Sequence, residues 1–237
     1  MGNEAAFMKK QRVIVIVVLI IVFIIYSIYF NTYSPKILVH IIKSLSRMLL
    51  GYLLAVVFGL LVSILLGIDK YVKIACMPII SFFMSIPTIT WVPILLIITG
   101  ITEKTIIIAV FLGSFFAIMY NTLDGMSNVD QNLIRVGKVL GYNNFQILYR
   151  VVIPASFVQI LTGLKLGIAY SWRALVGAEM LGATQYGLGY LIFASRKFYD
   201  LNRMISTLLI IAFFGYLLNR LLIIIIEENT IVRWGLK

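Results

Sequence analysis

LDGMSNVDQNLIRVGKVLGYNNFQILYRVVIPAS, residues 123–156, is the one long polar stretch between apolar segments in this chain. It is too polar to cross lipid and too long for a simple turn. Six segments around it are long and apolar enough to span a bilayer, which takes about 20 residues per helix. They lie at 13–30, 46–68, 74–98, 105–123, 157–180 and 204–226. The fold expected is therefore all-α, a polytopic membrane bundle of about six transmembrane helices. Within the polar stretch, Leu133, Val136, Val139 and Leu140 fall on one helical face, and Phe145, Leu148, Tyr149 and Val152 on another. Gly141 falls between the two runs, where a helix end calls for positive φ. Asn143 or Asn144 can cap the second run, and Pro154 marks the turn into the next span. The segment reads as two short amphipathic helices around a glycine corner. Two readings fit it: a pair lying on the membrane surface, or a docking element for a partner.

Composition supports the membrane reading. The chain has 237 residues, of which 62% are hydrophobic and only 12% charged, against about 25% charged in soluble domains. So little charge cannot coat a globule of this size, and the bilayer is expected to cover most of the surface. The net charge of +11 does not point to nucleic acid, because Lys and Arg cluster at the ends of apolar runs, as topology signals do. With the N-terminus inside, the inner segments carry ten Lys and Arg. The outer ones carry seven: Lys36, Lys43, Arg47, Lys104, Arg196, Lys197 and Arg203. Both termini are accordingly expected in the cytoplasm of a cell-membrane protein. Lys9-Lys10-Gln11-Arg12 before 13–30 resembles a signal peptide's start. The apolar run exceeds the usual signal length of about 7–15 residues, so a retained first helix is expected.

Within the spans, Gly51, Ala55, Gly59, Ser63 and Gly67 recur every fourth residue. Such a stripe lets helix backbones approach closely in lipid. Pro78, Pro87 and Pro93 predict a bent third span, with Ser81, Ser85, Thr88 and Thr90 available to satisfy freed backbone groups. The bend serves either a pathway or packing. The fifth span carries Lys165, Arg173 and Glu179, and charges in a span usually face the bundle interior or water. Lys165, Trp172 and Glu179 share a face, with Arg173 beside it. Either this face borders a translocation pathway that favours an anion, or it holds an internal salt bridge and a snorkelling lysine. Arg220 is a candidate partner for Glu179 or a subunit contact. Gly163 and Gly167 suit close packing. Gly187 and Gly189 suit a re-entrant turn or an ordinary surface turn.

Catalysis is not expected. One His and one Cys (His40 and Cys76) cannot build a zinc cluster, a disulfide or a nucleophilic triad. No G-x-x-x-x-G-K-[ST] phosphate loop occurs, so no ATP site of that kind is expected here. An ion-gradient carrier is the alternative to an ATP-driven one, but no internal repeat is visible and Glu179 is the one acid well inside a span.

Gly141, nine residues, then Val151-Val152-Ile153-Pro154 resembles the cytoplasmic loop signature of binding-protein-dependent ABC importer permeases, which reads Glu-Ala-Ala, three residues, Gly, nine residues, Ile-x-Leu-Pro. Further blocks agree in order and spacing. Ser44 to Gly51 resembles the start of the family's membrane domain, and Pro87 to Gly100 its proline-rich helix. Thr162-Gly163-Leu164-Lys165, Ala178 to Ala183 and Gly187-Leu188-Gly189-Tyr190-Leu191 resemble three later blocks. They look most like the branch that moves nitrate, taurine, alkanesulfonates or small vitamin precursors. One departure stands out: Arg135, Val136 and Gly137 occupy the Glu-Ala-Ala positions, so a basic residue replaces the acidic one.

The resemblance implies a type I ABC importer permease-like fold. Residues 1–43 would form a tail, first helix and outer loop. Residues 44–226 would form the permease domain with its coupling loop at 124–156, and 227–237 a cytoplasmic tail. It implies that two copies of the chain form the pathway. Two cytoplasmic ATPase subunits, carrying the ATP and Mg, would dock on the loop at Arg135, Val136, Gly137, Gly141, Tyr142, Phe145, Val151, Ile153 and Pro154. An extracellular or periplasmic binding protein would deliver a small solute. No cofactor is expected on the chain itself, and Arg135 calls for an acidic residue in the ATPase groove.

Overall fold

The computed structural model describes residues 36–183 and 185–222. The expected first span at 13–30, the tail at 227–237 and both termini lie outside the described residues. Among the described residues the chain is helical with no strand. Nine helices follow in order: α1 Ile37–Gly67, α2 Lys70–Ser85, α3 Thr88–Thr99, α4 Glu103–Ser127, α5 Gln131–Val139, α6 Asn144–Ala155, α7 Phe157–Gly182, α8 Leu188–Lys197 and α9 Leu201–Leu222. Helices α1, α4 and α9 are each long and apolar enough to cross a membrane. Two further spans are bent pairs, α2 with α3 at 86° and α6 with α7 at 65°. Five of the six expected spans are thus accounted for.

The stripe on α1 organises the bundle. A methyl added at Gly51 would sit 2.7 Å from the Val110 side chain and 2.8 Å from the Ile107 carbonyl oxygen. At Gly59 it would meet Ile118, and at Gly67 it would meet Met126. Each step of eight residues on α1 matches eight on α4, so the two helices run in the same direction in constant register. On its other side α4 meets α7 in the opposite sense. Gly113 lies against Ala174, Gly125 against Gln159, and Gly163 against Asn121. Small residues on all three helices bring the backbones close, which is how helices associate where lipid removes the hydrophobic drive. Helix α4 is the centre of the bundle, and Ala109, Val110, Ala117, Ile118 and Leu123 on it are fully enclosed. The outer face of α1, with Leu49, Leu53, Val57, Leu61 and Leu65, is exposed and apolar, as lipid contact demands.

Three expectations on the elements are corrected. The second span begins at Ile37 rather than near 46, because His40 and Ser44 are buried among partners and do not end the helix. The third span is broken rather than bent. Ile86 is extended, as the residue before a proline tends to be, and Pro87 opens α3. Pro78 and Pro93 stay inside helices. Ser85 donates to the Ser81 carbonyl at 2.8 Å and Thr90 to the Pro87 carbonyl at 2.7 Å, but neither is the carbonyl four residues before a proline that loses its backbone donor, so these two hydroxyls do not replace the lost bonds. Finally, the connector after α7 contains a helix, α8, which folds back onto α7 and α9.

Candidate functional site

The polar stretch folds as two helices around a tight corner. Asp130 caps α5 by accepting from the Asn132 N–H at 2.9 Å. At its other end Gly141 takes φ +77°. The Gly141 N–H donates to the Lys138 carbonyl at 3.0 Å and the Tyr142 N–H to the Gly137 carbonyl at 3.1 Å, the paired bonds of a Schellman ending. Asn143 and Gln146 then form a capping box. Asn143 Oδ1 accepts from the Gln146 N–H at 2.8 Å, and Gln146 Oε1 accepts from the Asn143 N–H at 2.9 Å. Gly137 is buried where α5 crosses α6. A methyl there would meet Ile147 and Val151 at 3.5 Å, ordinary contact, so the alanine of the family pattern would fit.

A π turn at Leu148–Val152 lies inside α6, with the Ile153 N–H donating to the Leu148 carbonyl. Leu148 and Val152 point inward with Ile147, against Met126 at the end of α4 and Ile64 of α1. Phe145 and Tyr149 point outward, each 68% exposed. The four residues expected on one face are therefore split into an inner and an outer pair. Leu133, Val136 and Val139 of α5 and Leu140 just after it are also exposed, Val139 at 88%. Arg135 and Pro154 are exposed, Tyr142, Val151 and Ile153 are half-buried, and Arg150 lies over the Tyr142 ring at 5.3 Å. The result is a rigidly capped corner, anchored beneath and apolar on top.

At the opposite end of the bundle sits a buried ionic junction. Glu179, on the last turn of α7, is fully enclosed. Its carboxylate accepts from Arg47 Nη1 at 2.8 Å, from Ser44 Oγ at 2.8 Å and from the Gly189 N–H at 3.0 Å. Arg47 also donates through Nη2 to Glu103 at 2.6 Å, through Nε to Glu103, and through Nη1 to the Tyr186 carbonyl at 2.6 Å. Ser44 Oγ accepts from the Leu188 N–H at 2.9 Å, and His40 Nδ1 lies 3.0 Å from the Gly187 N–H, which donates to it. A carboxylate at a helix C-terminus is disfavoured by the helix dipole. Here the N–H groups that open α8 and the Arg47 guanidinium offset that. Gly187 and Gly189 are buried because the chain passes against Glu179: a methyl at Gly187 would lie 2.5 Å from its carboxyl carbon, and one at Gly189 2.3 Å from the Val176 carbonyl oxygen.

The residues proposed to line a pathway therefore separate. Glu179, Gly187 and Gly189 belong to this junction. Trp172 is buried against Gly215 of α9. Lys165 is half-buried, and Arg173 is exposed, over the Tyr170 ring at 5.9 Å. Arg47 is the partner of Glu179, not Arg220. Ser44, Arg47 and Glu103 were not singled out from sequence as a site, although the four-residue register of the stripe, carried one step back from Gly51, lands on Arg47. Among the described residues no three His, Cys, Asp or Glu side chains converge as metal ligands would.

The family model described as the binding-protein-dependent transport system inner membrane component matches residues 48–227. A putative ABC transporter permease of Methanocaldococcus jannaschii is 37% identical over 76% of this chain and 67% of its own length. The taurine transport system permease of Escherichia coli K12 is 32% identical over 76% of this chain and 65% of its own. A putative aliphatic sulfonates transport permease of Bacillus subtilis is 30% identical over 85% and 72%. In fold, a chain of the MetNI methionine ABC transporter in inward-facing conformations superposes with a TM-score of 0.71 at 19% identity, covering 83% of this chain and 99% of that one. The apolar spans, the capped corner around Gly141 and these matches together mean that the chain belongs to the binding-protein-dependent ABC importer permeases, as a multi-pass membrane component.

Proposed function

We propose that the chain is the translocation subunit of an ATP-driven importer for a small anion, of the sulfonate or nitrate kind. The observation that supports this most directly is the exposed apolar surface of α5 and α6, held on a capped corner whose underside is packed against α1 and α4. A surface of that shape can receive force from a cytoplasmic ATPase and pass it to the central helices. In this reading 44–226 is the permease domain and 124–156 its coupling loop. Both termini face the cytoplasm, and two copies form the passage. Two ATPase subunits carry the ATP and Mg, no cofactor resides on this chain, and a separate binding protein supplies the solute. ATP binding then switches the bundle between its openings by differential affinity for the two states. The small-anion assignment draws on the relatives for taurine and sulfonates and on the basic character of α7.

The test is reconstitution of the chain with a cognate ABC ATPase and solute-binding protein. Vanadate-sensitive, ATP-dependent uptake of taurine, an alkanesulfonate or nitrate is expected. Uptake that needs no ATP and follows an ion gradient would instead establish a secondary carrier.

A further inference from the structure

Arg173 lies within α7 and, among the described residues, forms no ion pair with a carboxylate. It lies about 5 Å from the midpoint of α7 at 1.5 Å per residue. Its neighbour Ala174 packs on Gly113, which also touches Thr88 at the break between α2 and α3. The Arg173 backbone and the break therefore share the middle level of the bundle. The acids that could have neutralised Arg173 are engaged elsewhere: Glu103 and Glu179 both pair with Arg47. Among the described residues the Arg173 guanidinium has the Tyr170 ring as its recorded neighbour. An exposed arginine at mid-membrane is costly against lipid, and such residues face water or protein. Broken helices at that depth are tolerated where they are buried in protein or line a water-filled cavity.

Beside Arg173 is a cavity of about 160 Å³ between α7 and α9, lined by Ile168, Trp172, Arg173, Gly215, Leu218 and Asn219. Gly215 lets the indole of Trp172 lie flat against α9, where a methyl would be 2.8 Å from the ring nitrogen. The cavity thus has one indole wall, one cation and one amide, and no acidic group.

We propose that Arg173 and Asn219 form a mid-membrane contact for a small oxyanion, with Trp172 as its apolar wall. This rests on the reading of the chain as a transport subunit. The planar guanidinium offers paired N–H donors that match a sulfonate, nitrate or carboxylate, and the amide adds one more. The sealed Glu179 and the half-buried Lys165 do not belong to this contact. The passing solute is selected by charge at Arg173 and by size at Trp172.

The test reads the local field without needing the natural solute. Asn219→Cys is placed in a Cys76→Ser background of the full chain in phosphatidylcholine vesicles. It is treated with two methanethiosulfonate reagents of similar size, one sulfonate-bearing and one trimethylammonium-bearing. The anionic reagent is expected to react about tenfold faster relative to the cationic one than it does with free cysteine, as a nearby unit charge dictates. Adding Arg173→Gln is expected to bring the ratio back to that of free cysteine, and Arg173→Lys to keep most of it. Any effect of Arg173 on the thiol itself is shared by both reagents and cancels in the ratio. Failure of both reagents to react, or a ratio that Arg173→Gln leaves unchanged, overturns the proposal. If that happens while ATP-driven uptake is intact, only the anion contact is lost; absence of ATP-driven uptake overturns the importer reading instead.

Discussion

The two ends of the bundle solve opposite problems with similar residues. At one end, the corner around Gly141 turns Val139, Phe145 and Tyr149 outward and leaves charges such as Arg135 in solvent. At the other, Arg47 and Glu179 are drawn inside and each is met by several partners. The first arrangement leaves apolar side chains on the surface instead of burying them. The second commits charge to fixing four helices, α1, α4, α7 and α8, to one another. The difference teaches that polar residues in an apolar chain mark neither surface nor interior until their partners are known.

The comparison can be broken first at the buried end. Arg47→Met strands Glu179 and should cost about 3–5 kcal/mol, read as a large drop in the melting temperature of the detergent-solubilised protein. Adding Glu179→Met should restore most of that loss, because replacing a whole buried pair by apolar groups is often nearly neutral. Strictly additive losses in this double-mutant cycle would mean that the pair does not act as a unit. At the other end the largest effect should fall on association. Phe145→Ala should leave the melting temperature unchanged and weaken ATPase binding by about 2 kcal/mol, roughly 30-fold, in a titration of the ATPase onto reconstituted protein. Unchanged affinity would remove Phe145 from the docking surface.

Gly141→Ala should cost about 1–2 kcal/mol through its left-handed backbone, since no neighbour lies within 4 Å of an added methyl. Faster hydrogen exchange confined to 131–154 is the readout, and exchange as slow as in the wild type would contradict it. The smallest effect belongs to Arg135→Glu. ATPase affinity should fall less than about fivefold at low salt, and the difference should vanish at high salt. Tighter binding would mean that the partner groove is basic rather than acidic.

The sequence made some of this legible and hid the rest for physical reasons. The stripe from Gly51 to Ser63 fixed the packing face of α1 because small residues at a spacing of four have one use in lipid. The capped corner was visible because Gly141, Asn143 and Pro154 each have local backbone preferences. The start of α1 was not, because hydropathy reads His40, Lys43 and Ser44 as an aqueous connector. His40 and Ser44 are instead satisfied by Gly187 and Leu188, about 145 residues away by the 147 and 144 positions that separate them. Arg47 was counted as a topology charge for the same reason: its acids lie 56 and 132 residues further on. Of three prolines only Pro87 breaks the span, and the residue after it, Thr88, meets Gly113 of α4, a contact that hydropathy does not contain.

The π turn at Leu148–Val152 sets the angular phase of the exposed apolar surface that precedes it. It accommodates one residue more than an α-helical path would use between the corner and α7. Excising one residue there would swing everything before it by about 100° around the helix axis, so Phe145 would leave the side it shares with the outer face of α5. Grafts between related permeases should therefore exchange 130–156 as a single cassette. A junction placed inside 148–152 would deliver the right amino acids to the wrong compass bearing.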